Sequence, residues 1–223
     1  MTATLSTQKR HRIMLVDDHP VVRHGLAHLI TSDPNMEVCC EVDGAEEALQ
    51  AIARENPDVL VVDITLGGVS GLELIKQVRA SHPKVRMLVT SMHDEKLYAE
   101  RALHAGAMGY VHKQEAVEKI VTAIRQVLHG ELYVSPDLAE HMLQRVMQGK
   151  EPVGATPIRD LTDRELEVFQ LIGAGLTTRK IAERLNLSPK TIETHRDHIK
   201  TKLNIASNNE LVKCAVEWSL QQP

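Results

Sequence analysis

The sequence predicts two joined parts: an α/β domain built on a five-stranded, doubly wound parallel sheet, then a smaller all-α domain. Three observations predict this. From Ile13 to about Gly130, short β-branched apolar runs alternate with stretches of helical spacing. Gly149 to Pro157 is a Gly- and Pro-rich break. From Leu161 onward only helical periodicity remains. Strands that alternate with helices form a parallel sheet, because each crossover lays its helix against one face.

The apolar runs at 13–16, 38–42, 59–62, 85–90 and 108–111 are the expected strands, and helices are expected around 20–31, 45–55, 71–81, 95–105 and 115–129. The first domain is therefore placed at 11–130. A linker follows over 131–158, carrying a helix from about Pro136 to Gln148, and the second domain occupies 159–223. In that domain Thr162 with Glu165 is a capping box that opens a helix to about Ile172. Further helices fit 178–185, 188–203 and 207–220, with Ser188 as N-cap and Pro189 at the first helical position.

Composition excludes several classes. The 223 residues are 43% hydrophobic and 25% charged, enough to bury a core without staples. A net charge of −4 is not that of a polycation coating nucleic acid or membrane. That total hides two unlike parts. Residues 1–157 hold 16 basic and 21 acidic side chains, whereas 158–223 hold 10 and 9. Five aromatics do not make base-stacking platforms. Three cysteines, two of them adjacent, fit neither a disulfide framework nor a paired-thiol site. No run approaches the roughly 20 apolar residues of a membrane span, and the start lacks a signal peptide's apolar core. A cytoplasmic location without a membrane partner is expected.

In a doubly wound sheet, ligands sit beyond the carboxyl ends of the strands. Asp17 and Asp18 end the first run, Asp63 the third and Thr90-Ser91 the fourth, and His112-Lys113 follow the fifth. Three carboxylates without a counter-charge would take up protons. A hard divalent cation, Mg²⁺ above all, suits such an oxygen cluster. Lys113 can neutralise a phosphoryl oxygen and the Ser91 hydroxyl can donate to another. The constellation is that of phosphoryl transfer to a carboxylate.

Helix 178–185, a short turn at Asn186-Leu187 and helix 188–203 form a helix-turn-helix. Ile181, Ala182, Leu185, Ile192, Ile199 and Leu203 supply the faces that pack the pair. Outside them stand Arg179, Lys180, Arg184, Lys190, Arg196, Lys200 and Lys202; between Thr177 and Lys202, seven basic residues face three acidic ones. Phosphate contact is the physical use of such a surface.

In order and spacing, Asp17-Asp18, Asp63, Ser91, Tyr110 and Lys113 resemble the flavodoxin-like receiver domain of two-component response regulators. The run Leu161-Thr162-Asp163-Arg164-Glu165, with Gly175, Ile181-Ala182, Leu185, Leu187-Ser188, Thr191-Ile192, His195, Ile199 and Lys202-Leu203, resembles the LuxR-type four-helix DNA-binding domain. Together the chain resembles the NarL/FixJ group. The resemblance implies that Asp63 accepts a phosphoryl group from a partner sensor histidine kinase. Asp17, Asp18, Asp63 and the backbone carbonyl of Thr65 would hold Mg²⁺. Ser91 and Tyr110 would be the switch pair, with Thr90 a competing hydroxyl.

The resemblance also makes 188–203 a recognition helix in the major groove of double-stranded DNA. Glu193, Thr194 and Asp197 would meet base edges with His195 and Arg196 close by, while Arg179, Lys180, Lys190, Thr191, Lys200 and Lys202 complete the interface. Leu211, Ala215 and Trp218 fall at i, i+4 and i+7, as core or as the contact of a homodimer that forms on phosphorylation and binds paired half-sites. The implied function is a DNA-binding transcription regulator controlled by phosphorylation of Asp63. It is no enzyme beyond Mg-dependent self-phosphorylation and self-dephosphorylation. Three positions depart from the family pattern. Gly67 stands where receivers usually have Pro, Glu193 where many relatives have Lys, and Thr178 where they commonly have Asn. Gly67 keeps open a regulator that binds DNA regardless of phosphate.

Overall fold

A computed structural model describes residues 10–67, 69–92, 95–147 and 157–220. The chain divides into two compact units, Met1–Ser135 and Pro136–Pro223.

In the first unit the order is β1 (His11–Val16), α1 (Pro20–Thr31), β2 (Met36–Val42), α2 (Ala45–Glu55), β3 (Val59–Asp63), α3 (Gly71–Ser81), β4 (Arg86–Ser91), α4 (Glu95–Ala105), β5 (Gly109–His112) and α5 (Ala116–Leu128). All strand pairs are parallel and lie in the order β2-β1-β3-β4-β5. Every residue of β3 is buried, as expected of a central strand covered on both faces. β2 lies at an edge and is only half-buried, which is where Cys39 and Cys40 sit as free thiols. The strand order reverses between β1 and β3, so the ends of these two neighbours, Val16 and Val62 in register, deliver Asp17 and Asp63 side by side. Buried Asp33 accepts two bonds from Arg125, at 2.9 and 2.6 Å, which tie the end of α1 to α5.

The strands run further than their apolar runs. Asp63 pairs with Thr90 and Ser91 with His112, all within the ladder. Hydropathy stops at the last apolar residue, whereas backbone pairing continues through the polar ones. Residues 131–135 belong to this unit rather than to the expected linker. The Tyr133 amide donates to the Met108 carbonyl, and its carbonyl accepts from the Tyr110 amide, both at 2.9 Å.

The second unit contains α6 (Pro136–Met147), α7 (Asp163–Gly173), α8 (Thr178–Arg184), α9 (Pro189–Leu203) and α10 (Asn208–Leu220). Gln148 and the linker residues 149–156 lie outside the described residues. The expected linker extended to 158, but Pro157–Asp160 is a 3-10 turn with Ile158 buried in it. Capping fixes the helix starts. Thr162 and Glu165 form the capping box of α7, Thr177 caps α8 and Ser188 caps α9. Asn186 takes the left-handed backbone (φ 50°) that makes the turn between α8 and α9, a conformation Asn tolerates better than most residues. α7 packs against α8, α9 and α10. Gly173 permits the last of these contacts, because a Cβ there would lie 2.5 Å from the Ala215 carbonyl oxygen.

Candidate functional site

At the carboxyl edge of the sheet, Asp17 and Asp63 are buried and Asp18 is partly exposed. Lys113, carried in the 3-10 turn Lys113–Glu115 after β5, places Nζ 2.7 Å from Asp17 Oδ2 and 2.6 Å from Asp63 Oδ2. α3 begins against the same strand end, with Ser70 accepting from the Glu73 amide as its cap. The Gly71 amide donates to the Ile64 carbonyl at 2.8 Å, and a Cβ on Gly71 would fall 2.0 Å from the Asp63 carbonyl oxygen. Only glycine allows the helix to start this close to Asp63.

Burial pushes the Asp63 carboxyl up to about 6, although the Lys113 ammonium pulls the other way. Burial likewise works against charge on Lys113, but Asp63 and Asp17 outweigh it and hold the ammonium above its ordinary value. One ammonium therefore faces two buried carboxylates and a third at the rim. This excess of hard oxygen donors fits a divalent cation. Ligand atoms of Asp17, Asp18, His19 and Asp63 all lie within 4.8 Å of one another. His19 was missed at the level of sequence. Its amide donates to Asp17 Oδ1 at 2.9 Å and its Nδ1 lies 2.6 Å from Asp18 Oδ1. The available signal was its place directly after the paired aspartates.

Thr65 enters the site through its amide, which donates to Asp63 Oδ1 at 3.3 Å. Ser91 and Tyr110 are both buried, on the adjacent strands β4 and β5. Thr90 is buried beside Asp63 in register, and its hydroxyl has no hydrogen-bond partner among the described residues. Successive strand residues face opposite sides of the sheet, so Thr90 and Ser91 serve different faces. Gly67 is exposed in the β3–α3 loop.

On the second unit, α9 exposes Lys190, Glu193, Thr194, Asp197 and Lys202, while Arg179 and Lys180 are exposed on α8. Thr191 is half-buried, and its amide donates to the Ser188 hydroxyl. Four expected interface residues are used differently. Arg196 is buried, with Nη1 donating to Thr178 Oγ1 at 3.4 Å, so it is not a side chain free to meet a base or a phosphate. Its position next to Ile192 and Ile199 on the helix wheel turns it toward α8. His195 is half-buried, and burial, reinforced by Arg164, lowers its pKa. Lys202 bonds Glu165 Oε2 at 2.7 Å and the Asp160 carbonyl at 3.2 Å, which ties α9 to the start of α7. Lys200 pairs with Asp197 at 2.9 Å on the same helix.

The dimer residues also need correction. Leu211 and Ala215 are fully buried, and Trp218 packs on Phe169 with ring centroids 5.7 Å apart. The i, i+4, i+7 strip is the face α10 turns to α7, not an outer contact. Val212 and Leu220 are the exposed apolar residues of that helix.

With this geometry in view, residues 13–125 match the family of response regulator receiver domains, and residues 159–215 match the luxR family of bacterial regulatory proteins. The chain belongs to the NarL/FixJ-type response regulators. This response regulator is 38% identical over 208 residues to the transcriptional activator protein ExaE of Pseudomonas putida, covering 93% of this chain and 97% of that one. It is 35% identical over 214 residues to the oxygen regulatory protein NreC of Staphylococcus epidermidis, covering 94% and 98%. RcsB from Salmonella enterica serovar Typhimurium, solved bound to promoter P1flhDC with phosphomimetic BeF3−, shares the fold. Its TM-score is 0.64 at 22% identity, covering 94% of this chain and 100% of that one. The regulator thus joins a receiver to a LuxR-type DNA-binding domain, a pairing that implies a histidine kinase partner and DNA binding. Among the described residues no helix is long and apolar enough to cross a membrane.

Proposed function

We propose that Asp63 accepts a phosphoryl group from a sensor histidine kinase and that this modification controls how the LuxR-type domain engages DNA. The observation that carries the reading is Lys113, buried and bridging Asp17 and Asp63 at 2.7 and 2.6 Å. A bare carboxylate is a weak nucleophile toward an anionic phosphoryl donor, because like charges repel. The Lys113 ammonium is placed to offset that repulsion and then to hold an oxygen of the phosphoryl group.

Asp17, Asp18 and Asp63, with the Thr65 carbonyl, are the residues to hold Mg²⁺, which when bound supplies further neutralisation of the phosphoryl oxygens. Asp63 contributes the attacking oxygen; the leaving nitrogen stays on the kinase histidine. In the role that the family resemblance gives them, Ser91 at the end of β4 donates to the phosphoryl group and Tyr110 on β5 follows it. A phosphoryl group shifts the receiver between two states only by its differential interaction with them. The chain acts as a cytoplasmic regulator and homodimer on paired half-sites, with no enzymatic turnover beyond its own phosphoryl group.

Measuring DNA affinity with and without phosphorylation tests the coupling. Tighter binding of the phosphorylated chain is expected. Equal affinities would favour the phosphate-independent regulator that Gly67 keeps open.

A further inference from the structure

The carboxylate of Glu193 is an anion on a surface that must approach DNA, where phosphates place about one negative charge per 1.7 Å of helix axis. Its surroundings explain how it can stand there. The Thr178 hydroxyl on α8 donates to Glu193 Oε1 at 2.8 Å. Arg196 Nη1 donates in turn to that hydroxyl at 3.4 Å, and Arg196 Nε lies 3.8 Å from Glu193 Oε2. The Arg196 side chain is 9% exposed and that of Glu193 is 50% exposed. Among the described residues, Arg196 Nε has no hydrogen-bond partner. A buried guanidinium thus neutralises a half-exposed carboxylate, and a hydroxyl fixes its rotamer.

An ionised carboxylate offers about four acceptor positions, and the Thr178 hydroxyl occupies one. The exposed remainder can bind only a donor. In the major groove the donors are the exocyclic amines, N4 of cytosine and N6 of adenine. Adenine also presents the N7 acceptor beside its amine, which repels a carboxylate, so cytosine is the better fit. Building on the DNA-binding reading above, we propose that Thr178 and Arg196 are positioning residues that hold Glu193 as a fixed acceptor for cytosine N4, at one base pair of each half-site. Fixing the side chain before binding removes an ordering cost and sharpens the preference.

The test uses the full chain, a duplex library randomised across the half-site, and sequencing of bound duplexes at one salt concentration. The wild type should favour cytosine at one position per half-site. Thr178→Val, similar in shape but without the hydroxyl, should flatten that position about tenfold and leave the others unchanged. Its salt dependence should not move, because no phosphate contact is altered. Thr178→Ser should restore the wild-type profile. Glu193→Gln should shift the same position toward adenine, whose N6 and N7 match an amide. Thermal melts within roughly 3 °C of the wild type would show that the variants fold. A wild-type profile in Thr178→Val, or no position-specific change in Glu193→Gln, would overturn the proposal while leaving DNA binding intact. Failure of the wild type to bind any duplex would instead overturn the DNA-binding reading and this proposal with it.

Discussion

The carboxyl edge of the receiver sheet and the outer face of α9 are both dense in charge, but they hold it in opposite ways. At the sheet edge, Asp17, Asp63 and Lys113 are buried within a few ångströms of one another. On α8 and α9, Arg179, Lys180 and Lys190 stand in solvent. Charges out of water depend on each other, so removing one leaves its partners uncompensated. Charges in water act nearly independently, and salt weakens them. Chemistry at one carboxylate needs the first arrangement, and an adjustable grip on a phosphate backbone needs the second.

This contrast can be broken most sharply at Lys113. Lys113→Met should destabilise the receiver by about 3–5 kcal/mol, because two buried carboxylates lose their shared ammonium. Urea unfolding at pH 7 checks this, and a change below about 1 kcal/mol would mean that the bridge is not a buried ion pair.

Next in size is Leu211→Ala on α10. As a fully buried residue it should cost about 2–4 kcal/mol in the second unit. Half-exposed Val212→Ala should stay within about 0.5 kcal/mol. The reverse order would return the Leu211 strip to an outer contact.

Lys190→Ala should leave stability unchanged within about 0.5 kcal/mol while lowering the slope of log affinity against log salt by about one. A titration of DNA binding at several salt concentrations reads this directly.

The smallest effect concerns pH. His195 has a folded pKa depressed by burial, so below its unfolded value of about 6.5 the unfolded chain binds more protons than the native one. The contribution of His195 is therefore full above pH 6.5 and declines as pH falls through the window beneath it. Because this side chain is only half-buried, the loss should stay below about 1 kcal/mol. Stability of the second unit between pH 5 and 7 should lose that part of its slope in His195→Gln.

Much of the fold was legible because its signals are periodic. β-branched runs marked five strands, and polar caps such as Thr162 and Ser188 marked helix starts to within a residue. The site was legible because topology gathers strand ends, which brings Asp17, Asp63 and Lys113 to one edge of the sheet. What could not be read depends on distances between elements. The approach of α3 to the Asp63 carbonyl that requires Gly71 leaves no periodic trace. Arg196 reads as a surface cation in sequence, and only the packing of α9 on α8 buries it against Thr178. On α10 both Leu211-Ala215 and Val212-Leu220 are apolar strips, and a helical wheel cannot say which one faces α7.

Control of this regulator turns on Asp63 as phosphoacceptor. Intact-mass spectrometry of the full chain after incubation with acetyl phosphate and Mg²⁺ tests it directly, beside Asp63→Asn. The wild type should gain the mass of one phosphoryl group and lose it on addition of hydroxylamine, as an acyl phosphate does, while Asp63→Asn gains none. A phosphoryl group retained by Asp63→Asn, or a wild type that never acquires one, would contradict the account.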